Sequence, residues 1–176
     1  SQGGVDALLF PTGRGDAYHG NWAEVLTHSD GTERAYASMC YSDWVVAIDV
    51  ASSDILWRFG PEGDFDLEDP SGNSLSDAYY TDCQHGVEIS GNRILAYDNG
   101  MDDRDYSRIS EYEVDESTMT ATLTWTWTED NWDADWLGDV DYITPDRMLV
   151  TQGEQDCAWG SGDDVKTRIV EVDRET

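Results

Sequence analysis

Two histidines stand at equivalent places in a repeated pattern, and their imidazoles are the groups in this sequence best suited to chemistry. His19 precedes Gly20, and His85 precedes Gly86, each at the mouth of a run with the alternation of a β-strand. An imidazole can take a transferring group, shuttle a proton or bind a metal. The alternative is that both rings only form hydrogen bonds in a packed interior.

Three cysteines, Cys40, Cys83 and Cys157, form an odd set. One disulfide with a free thiol fits a secreted protein, whereas three thiols fit a cytosolic protein. The repeat predicts that all three open toward the same face as the histidines. A disulfide that braces this face, with Cys83 as a candidate partner, is favoured over a thiol nucleophile. No Cys-x-x-Cys pair supports a structural zinc site, and no other metal is assigned.

The elements that must position these residues repeat along the chain. Runs of alternating apolar and polar residues, separated by polar turns, fall into groups at about 17–60, 81–128 and 136–176. Each group predicts a four-stranded antiparallel blade, and the last stops before a fourth strand. We therefore predict an all-β fold: a single β-propeller domain over 1–176 with about three blades. It would be a fragment of a larger propeller or a ring closed by another chain.

An aspartate closes the third strand of every predicted blade, at Asp49, Asp115 and Asp173. Trp57 and Trp125 follow the first two aspartates by eight and ten residues. This spacing resembles the tryptophan-docking repeat of quinoprotein-type propellers, in which the indole caps the neighbouring blade. We predict a structural role for both tryptophans.

A propeller would bring the two histidines together. The first strand of each blade lines the central channel, so equivalent positions in neighbouring blades converge at one face. His19 and His85 are therefore predicted to share one funnel. Long loops on such a scaffold commonly carry function.

The charge balance is extreme, with 38 acidic and 10 basic residues and a net charge of −28. It predicts a hydrated acidic surface suited to high salt, as in a halophilic organism. The alternative is Ca²⁺ binding by the clusters 102–105 and 163–164, whose spacing differs from a calcium loop. Such a surface repels nucleic acids and anionic membranes. No apolar run of about 18 residues predicts a membrane span, and no secretion signal opens this chain.

Several short motifs occur in a fixed order along the chain. They are His19-x-Asn21, Gln84-His85, Tyr97-Asp98-Asn99-Gly100 and Ser107-Arg108. The series resembles the bacterial arylsulfotransferase family of β-propellers. The resemblance covers nearly all of this chain but only the later part of a typical family member.

The resemblance implies transfer of a sulfuryl group from an aryl sulfate to a phenol without the nucleotide donor PAPS. It implies that His85 carries the group covalently and that His19 and Asn21 bind the sulfate. It also implies small-molecule partners, no cofactor, and a secreted, periplasmic or extracellular location.

One position departs from the family pattern. Cys40 stands where an arginine that clamps the sulfate is expected. A propeller that binds a ligand or serves a structural role in an extracellular assembly, without catalysis, is the alternative function, so enzymatic activity is left open.

Overall fold

The computed structural model describes residues 18–101, 104–134, 136–153 and 167–175. Within these residues the chain forms β-strands and two 3₁₀ helices of three residues each. The first strands are β1 (Gly20–Thr27), β2 (Glu33–Met39), β3 (Trp44–Asp49), β4 (Ile55–Phe59) and β5 (Asp66–Glu68). The next are β6 (His85–Ser90), β7 (Arg93–Asp98), β8 (Arg108–Asp115) and β9 (Thr120–Trp127). The last are β10 (Asp139–Thr144), β11 (Arg147–Thr151) and β12 (Ile169–Asp173).

These strands form three sheets, and none closes into a barrel. The first sheet has the order β1-β2-β3-β4, the second β5-β9-β8-β7-β6, and the third β10-β11-β12. Consecutive strands pair antiparallel in each sheet. The predicted all-β class with antiparallel sheets is confirmed, while the number of blades stays a prediction.

One strand lies outside the predicted blades, in the segment 61–80 between the first two of them. Strand β5 lies in this segment and pairs parallel with β9, with Leu67 opposite Ala121. Leu67 and Phe65 are buried in the core, and the Tyr80 hydroxyl donates a hydrogen bond to the Phe65 carbonyl at 2.5 Å. A strand of three residues is too short for alternation to reveal it.

The three sheets pack face to face through alternating residues of β7. Ile94 and Ala96 join the core shared with the first sheet, whereas Leu95 and Tyr97 join the core shared with the third. Both faces of the second sheet are therefore buried. Strand β6 contacts both β1 and β10, so the first long strands of successive sheets are neighbours.

The repeated aspartates end β3, β8 and β12, as the sequence predicts. Their carboxylates accept hydrogen bonds from backbone N–H groups in the following turns. The donors are Ser52 at 2.7 Å, Ser117 at 2.8 Å and Glu175 at 3.0 Å. Each aspartate thus stabilises the turn that follows its strand.

Both repeat tryptophans contact the neighbouring sheet. The Trp57 indole donates a hydrogen bond to Glu116 at 3.0 Å, in the turn after β8. The Arg174 guanidinium lies 5.3 Å from the centre of the Trp125 ring, in the turn after β12. Each indole therefore touches the turn after the third long strand of the next sheet, in agreement with the predicted structural role.

Candidate functional site

His85 opens β6 and is almost completely buried, with 6% of its surface exposed. Its Nδ1 lies 2.9 Å from Asn99 Oδ1 and 3.3 Å from the Cys83 carbonyl oxygen. Asn99 Nδ2 donates to the carbonyls of Ala134 and Leu137, both at 2.8 Å, so its Oδ1 is the acceptor toward the ring. Nδ1 therefore carries the proton, and in the neutral ring Nε2 holds the lone pair.

The backbone beside His85 needs glycine. Gly86 has φ +39°, forms the irregular step in the pairing of β6 with β7, and a Cβ there would overlap Asp139. Gly138 has φ +109°, and a Cβ there would lie 2.6 Å from the Tyr97 ring. These two glycines let the starts of β6 and β10 approach closely, which brings the third sheet against the histidine.

His19 lies immediately before β1 in a left-handed conformation, with φ +48°. Its ring stacks on Tyr41 with centroids 4.9 Å apart, and Trp136 meets it edge-on at 6.3 Å. The His19 carbonyl accepts a hydrogen bond from the Cys40 N–H at 3.1 Å. The first and third sheets therefore both contribute to the surroundings of this ring.

Asn21 links the first sheet to the residue before His85. Its Nδ2 donates to the Gln84 carbonyl at 2.8 Å, and the Ser38 hydroxyl donates to the same oxygen at 3.1 Å. The Gln84 side chain donates in return to Ser38 Oγ at 3.1 Å and to the Trp44 carbonyl at 2.9 Å. Because Gln84 is fully buried, this network fixes β6 against the first sheet.

Burial lowers the pKa of His85 below its ordinary value of 6.5. The hydrogen bonds to Asn99 and Cys83 oppose this effect, and the charge of nearby His19 adds to it. At neutral pH the ring is therefore uncharged. The two predicted histidines lie on adjacent segments, because Asn21, two residues after His19, donates to the carbonyl of Gln84, which precedes His85.

A model of the family Arylsulfotransferase (ASST) matches residues 10–176. This match spans all three sheets, both site histidines and Asn21. The chain belongs to the arylsulfotransferase family. No individually curated protein matches it significantly.

Membership of the arylsulfotransferase family supports an arylsulfotransferase-like function in general terms and implies aryl sulfates and phenols as substrates. In the part of the chain that the structure describes, no helix is long and apolar enough to cross a membrane.

Arg108, of the family motif Ser107-Arg108, stabilises the residues that surround the site. The Arg108 guanidinium donates to Asp98 at 2.6 Å and to the Tyr80 carbonyl at 2.8 Å. Asp98 is fully buried, which raises its pKa, and the guanidiniums of Arg108 and Arg104 oppose that rise. Arg108 is therefore committed to an internal ion pair.

Ser107 positions Asn99. Its hydroxyl donates to the Asn99 carbonyl at 3.0 Å and accepts the Ala134 N–H at 2.9 Å. Ser107 thus connects the backbone of Asn99 to that of Ala134. This connection limits the movement of the Asn99 side-chain amide, which contacts His85.

Cys40 and Cys83 form a disulfide across the first and second sheets. The predicted involvement of Cys83 in a bridge agrees with this pairing, and Cys157 lies outside the described residues. Cys40 follows β2, while the Cys83 carbonyl accepts the bond from His85, and the Cys83 N–H donates to Asp43 at 2.7 Å. The bridge therefore joins the segment that is hydrogen-bonded to His19 to the segment that carries His85.

Replacing both bridge cysteines with serine should lower the free energy of unfolding by about 4 kcal/mol, because the bridge closes a loop with a sequence separation of 43. Turnover should also fall, since the bridge holds the Cys83 carbonyl beside the His85 ring. Denaturant unfolding and initial rates on an aryl sulfate measure the two effects. Ser71→Ala, in an exposed turn, is the control and should change neither.

The calcium hypothesis stays a prediction. Asp102, Asp103, Asp163 and Asp164 lie outside the described residues. Within the ranges that the structure describes, no group of three or more His, Cys, Asp or Glu side chains could hold a metal ion.

The sequence predicts no role for Asn99, although this residue lies in one of the family motifs. Its contacts reach Ala134 and Leu137, which lie 35 and 38 residues farther along the chain. Tyr41 and Trp136 were also missed. Neither lies in a recognised motif, and their proximity to His19 depends on how three sheets pack.

Proposed function

We propose that this protein transfers a sulfuryl group from an aryl sulfate to a phenol through a covalent intermediate on His85. The observation that supports this most strongly is the hydrogen bond between His85 Nδ1 and Asn99. It leaves Nε2 unprotonated in a ring whose pKa lies below 6.5. An uncharged, oriented imidazole is the form that can act as a nucleophile.

In the first step, Nε2 attacks the sulfur of the donor. The new N–S bond takes the imidazole lone pair, the bond from sulfur to the aryl oxygen breaks, and a phenoxide leaves with that electron pair. The ring becomes positively charged while Nδ1 keeps its proton. The oxygens of Asn99 and Cys83 accept from Nδ1, and they stabilise this charge as it develops.

In the second step, an acceptor phenol replaces the first. Its oxygen attacks sulfur, its proton passes to solvent, and the N–S bonding pair returns to Nε2. The enzyme regains its starting form, so the kinetics should be of the ping-pong type.

His19 and Asn21 are proposed to hold the sulfuryl oxygens. An amide nitrogen has two N–H groups, so Asn21 can donate to the Gln84 carbonyl and to a sulfuryl oxygen at once. Cys40, at the place of the expected arginine, is held in the disulfide. The anion must therefore be stabilised largely by imidazole and amide groups.

The stacking of the sheets supports the propeller as the scaffold, with blades at about 17–60, 81–128 and 136–176. The third sheet exposes Leu149 and Ile169 on its outer side. This face supports the prediction that further sheet structure, such as a second chain, covers it. The disulfide supports a secreted, periplasmic or extracellular location, and the acidic composition supports adaptation to high salt.

The direct assay follows release of 4-nitrophenol from 4-nitrophenyl sulfate, with and without a phenol acceptor and with no nucleotide donor. We expect release that accelerates with acceptor concentration and sulfated acceptor as the product. If the protein is folded and still releases no 4-nitrophenol, the proposal is contradicted.

A second candidate function is a binding or structural module without catalysis. Two observations favour it: the arginine expected at Cys40 is replaced by a bridged cysteine, and a net charge of −28 opposes anionic donors. This function predicts no turnover under any salt condition, whereas an enzyme with an acidic surface should turn over faster when salt screens the repulsion.

A further inference from the structure

Two aromatic rings flank His19 and come from segments next to different sheets. Tyr41 follows β2 in the first sheet and stacks on the imidazole, with 29° between the planes. Trp136 precedes β10 of the third sheet and meets the same imidazole at 62°. Tyr41 is 53% exposed despite this contact, so its ring presents apolar surface beside the site.

Both rings are held by the chain around them. The Tyr41 N–H donates to the Tyr18 carbonyl at 3.1 Å, and the preceding residue, Cys40, is bridged to the second sheet. Trp136 precedes Leu137, whose carbonyl accepts the hydrogen bond from Asn99. The amide that orients His85 is therefore also attached to the segment that carries the indole.

We propose that Tyr41 and Trp136 form the subsite for the aromatic ring of the substrate and set the preference for aryl over alkyl sulfates. This inference rests on the proposed function. The sulfate group needs several hydrogen-bond donors, whereas Tyr41 and Trp136 each carry one donor group and otherwise present apolar ring surface. A flat aromatic substrate gains from stacking or edge contacts with such rings. The donor ring and then the acceptor ring would occupy this subsite in turn.

The test measures binding without transfer. An aryl sulfonate has a carbon–sulfur bond in place of the ester, so it has no phenoxide to release. Titration calorimetry should compare benzenesulfonate with butanesulfonate, which carries the same charge. We expect Tyr41→Ala and Trp136→Ala each to weaken binding of benzenesulfonate about tenfold and to leave binding of butanesulfonate within about twofold of wild type.

Matched variants control for loss of structure. Tyr41→Phe keeps the ring and should bind benzenesulfonate like wild type. Tyr106→Ala removes another exposed aromatic residue, one whose ring contacts Arg104, and should also leave the affinity unchanged. Thermal unfolding of each variant reports whether the fold is retained.

The subsite is rejected if the two alanine variants weaken binding of both sulfonates equally, or of neither. It is also rejected if wild type binds no sulfonate. Failure of the proposed function gives a different result. Selective binding of benzenesulfonate by wild type and by His85→Ala, without any transfer activity, would retain the subsite and reject the transferase. If wild type transfers the sulfuryl group but the Tyr41 and Trp136 variants bind benzenesulfonate as tightly as wild type, the transferase is retained and the subsite is rejected.

Discussion

His85→Ala should lower the rate of sulfuryl transfer from 4-nitrophenyl sulfate by at least about 10⁴-fold, because it removes the atom that attacks sulfur. Donors around the sulfate cannot replace a nucleophile, so residual turnover should approach the background. The loss is measured as the initial rate of 4-nitrophenol release. The variant should still bind an aryl sulfonate, since His85 is not needed to hold the aromatic ring.

His28→Ala is the matched control for this prediction. The His28 ring is hydrogen-bonded at 2.8 Å to the Tyr36 hydroxyl, outside the proposed site. Its removal should leave transfer within about threefold of wild type, within the usual spread of such substitutions. Comparable losses in His28→Ala and His85→Ala would show that the effect reflects general damage and not the loss of a nucleophile.

Asn99→Ala should lower kcat by about 10²–10⁴-fold, because it frees the ring to adopt the wrong tautomer or orientation. KM should change less, since Asn99 holds the imidazole and is not assigned to the sulfate. The same substitution removes the Asn99 donor from the Leu137 carbonyl and one of the two donors from the Ala134 carbonyl, which should cost about 1–3 kcal/mol of stability. Rates are therefore compared well below the unfolding temperature.

The pH dependence separates orientation from general damage. The uncharged His85 ring is the active form, and burial lowers its pKa in the free protein, so the acid limb of the wild-type kcat/KM profile should lie below pH 6.5. Asn99→Asp keeps an acceptor and adds a negative charge, which stabilises the protonated ring. Its acid limb should move to higher pH.

Asn92→Ala controls for removal of an amide from the same sheet. Asn92 donates to Glu113 at 3.0 Å in an exposed turn. This variant should keep both the rate and the wild-type pH profile. An acid limb that does not move in Asn99→Asp would show that Asn99 does not control the protonation of His85.

Most strands could be predicted because their residues alternate between two environments. The run at 108–115 predicts β8, in which Tyr112 and Val114 are buried while Glu113 and Asp115 are exposed. Strand β7 instead has a continuous apolar run, because its residues enter the cores on either side of the second sheet. Strand β5 escaped prediction because Leu67 is held by contacts with Ala121 and the aromatic core, and not by a local pattern.

The candidate site could be predicted only in part. The repeat and the family motifs indicated His19, Asn21 and His85, whose roles stay predictions. The partner of Cys83 could not be chosen from spacing, because pairing depends on the packing of two sheets. Asn99 had no visible link to His85 in the sequence, since its side-chain contacts combine a strand end with a distant loop.

The most direct measurement is mass spectrometry of protein mixed with an aryl sulfate in the absence of acceptor, quenched rapidly and digested. We expect a labile sulfuryl group on the peptide that contains His85, and its loss when a phenol is added before quenching. A turnover-competent protein that carries the group on another residue, or carries none, would contradict a histidine intermediate at this position.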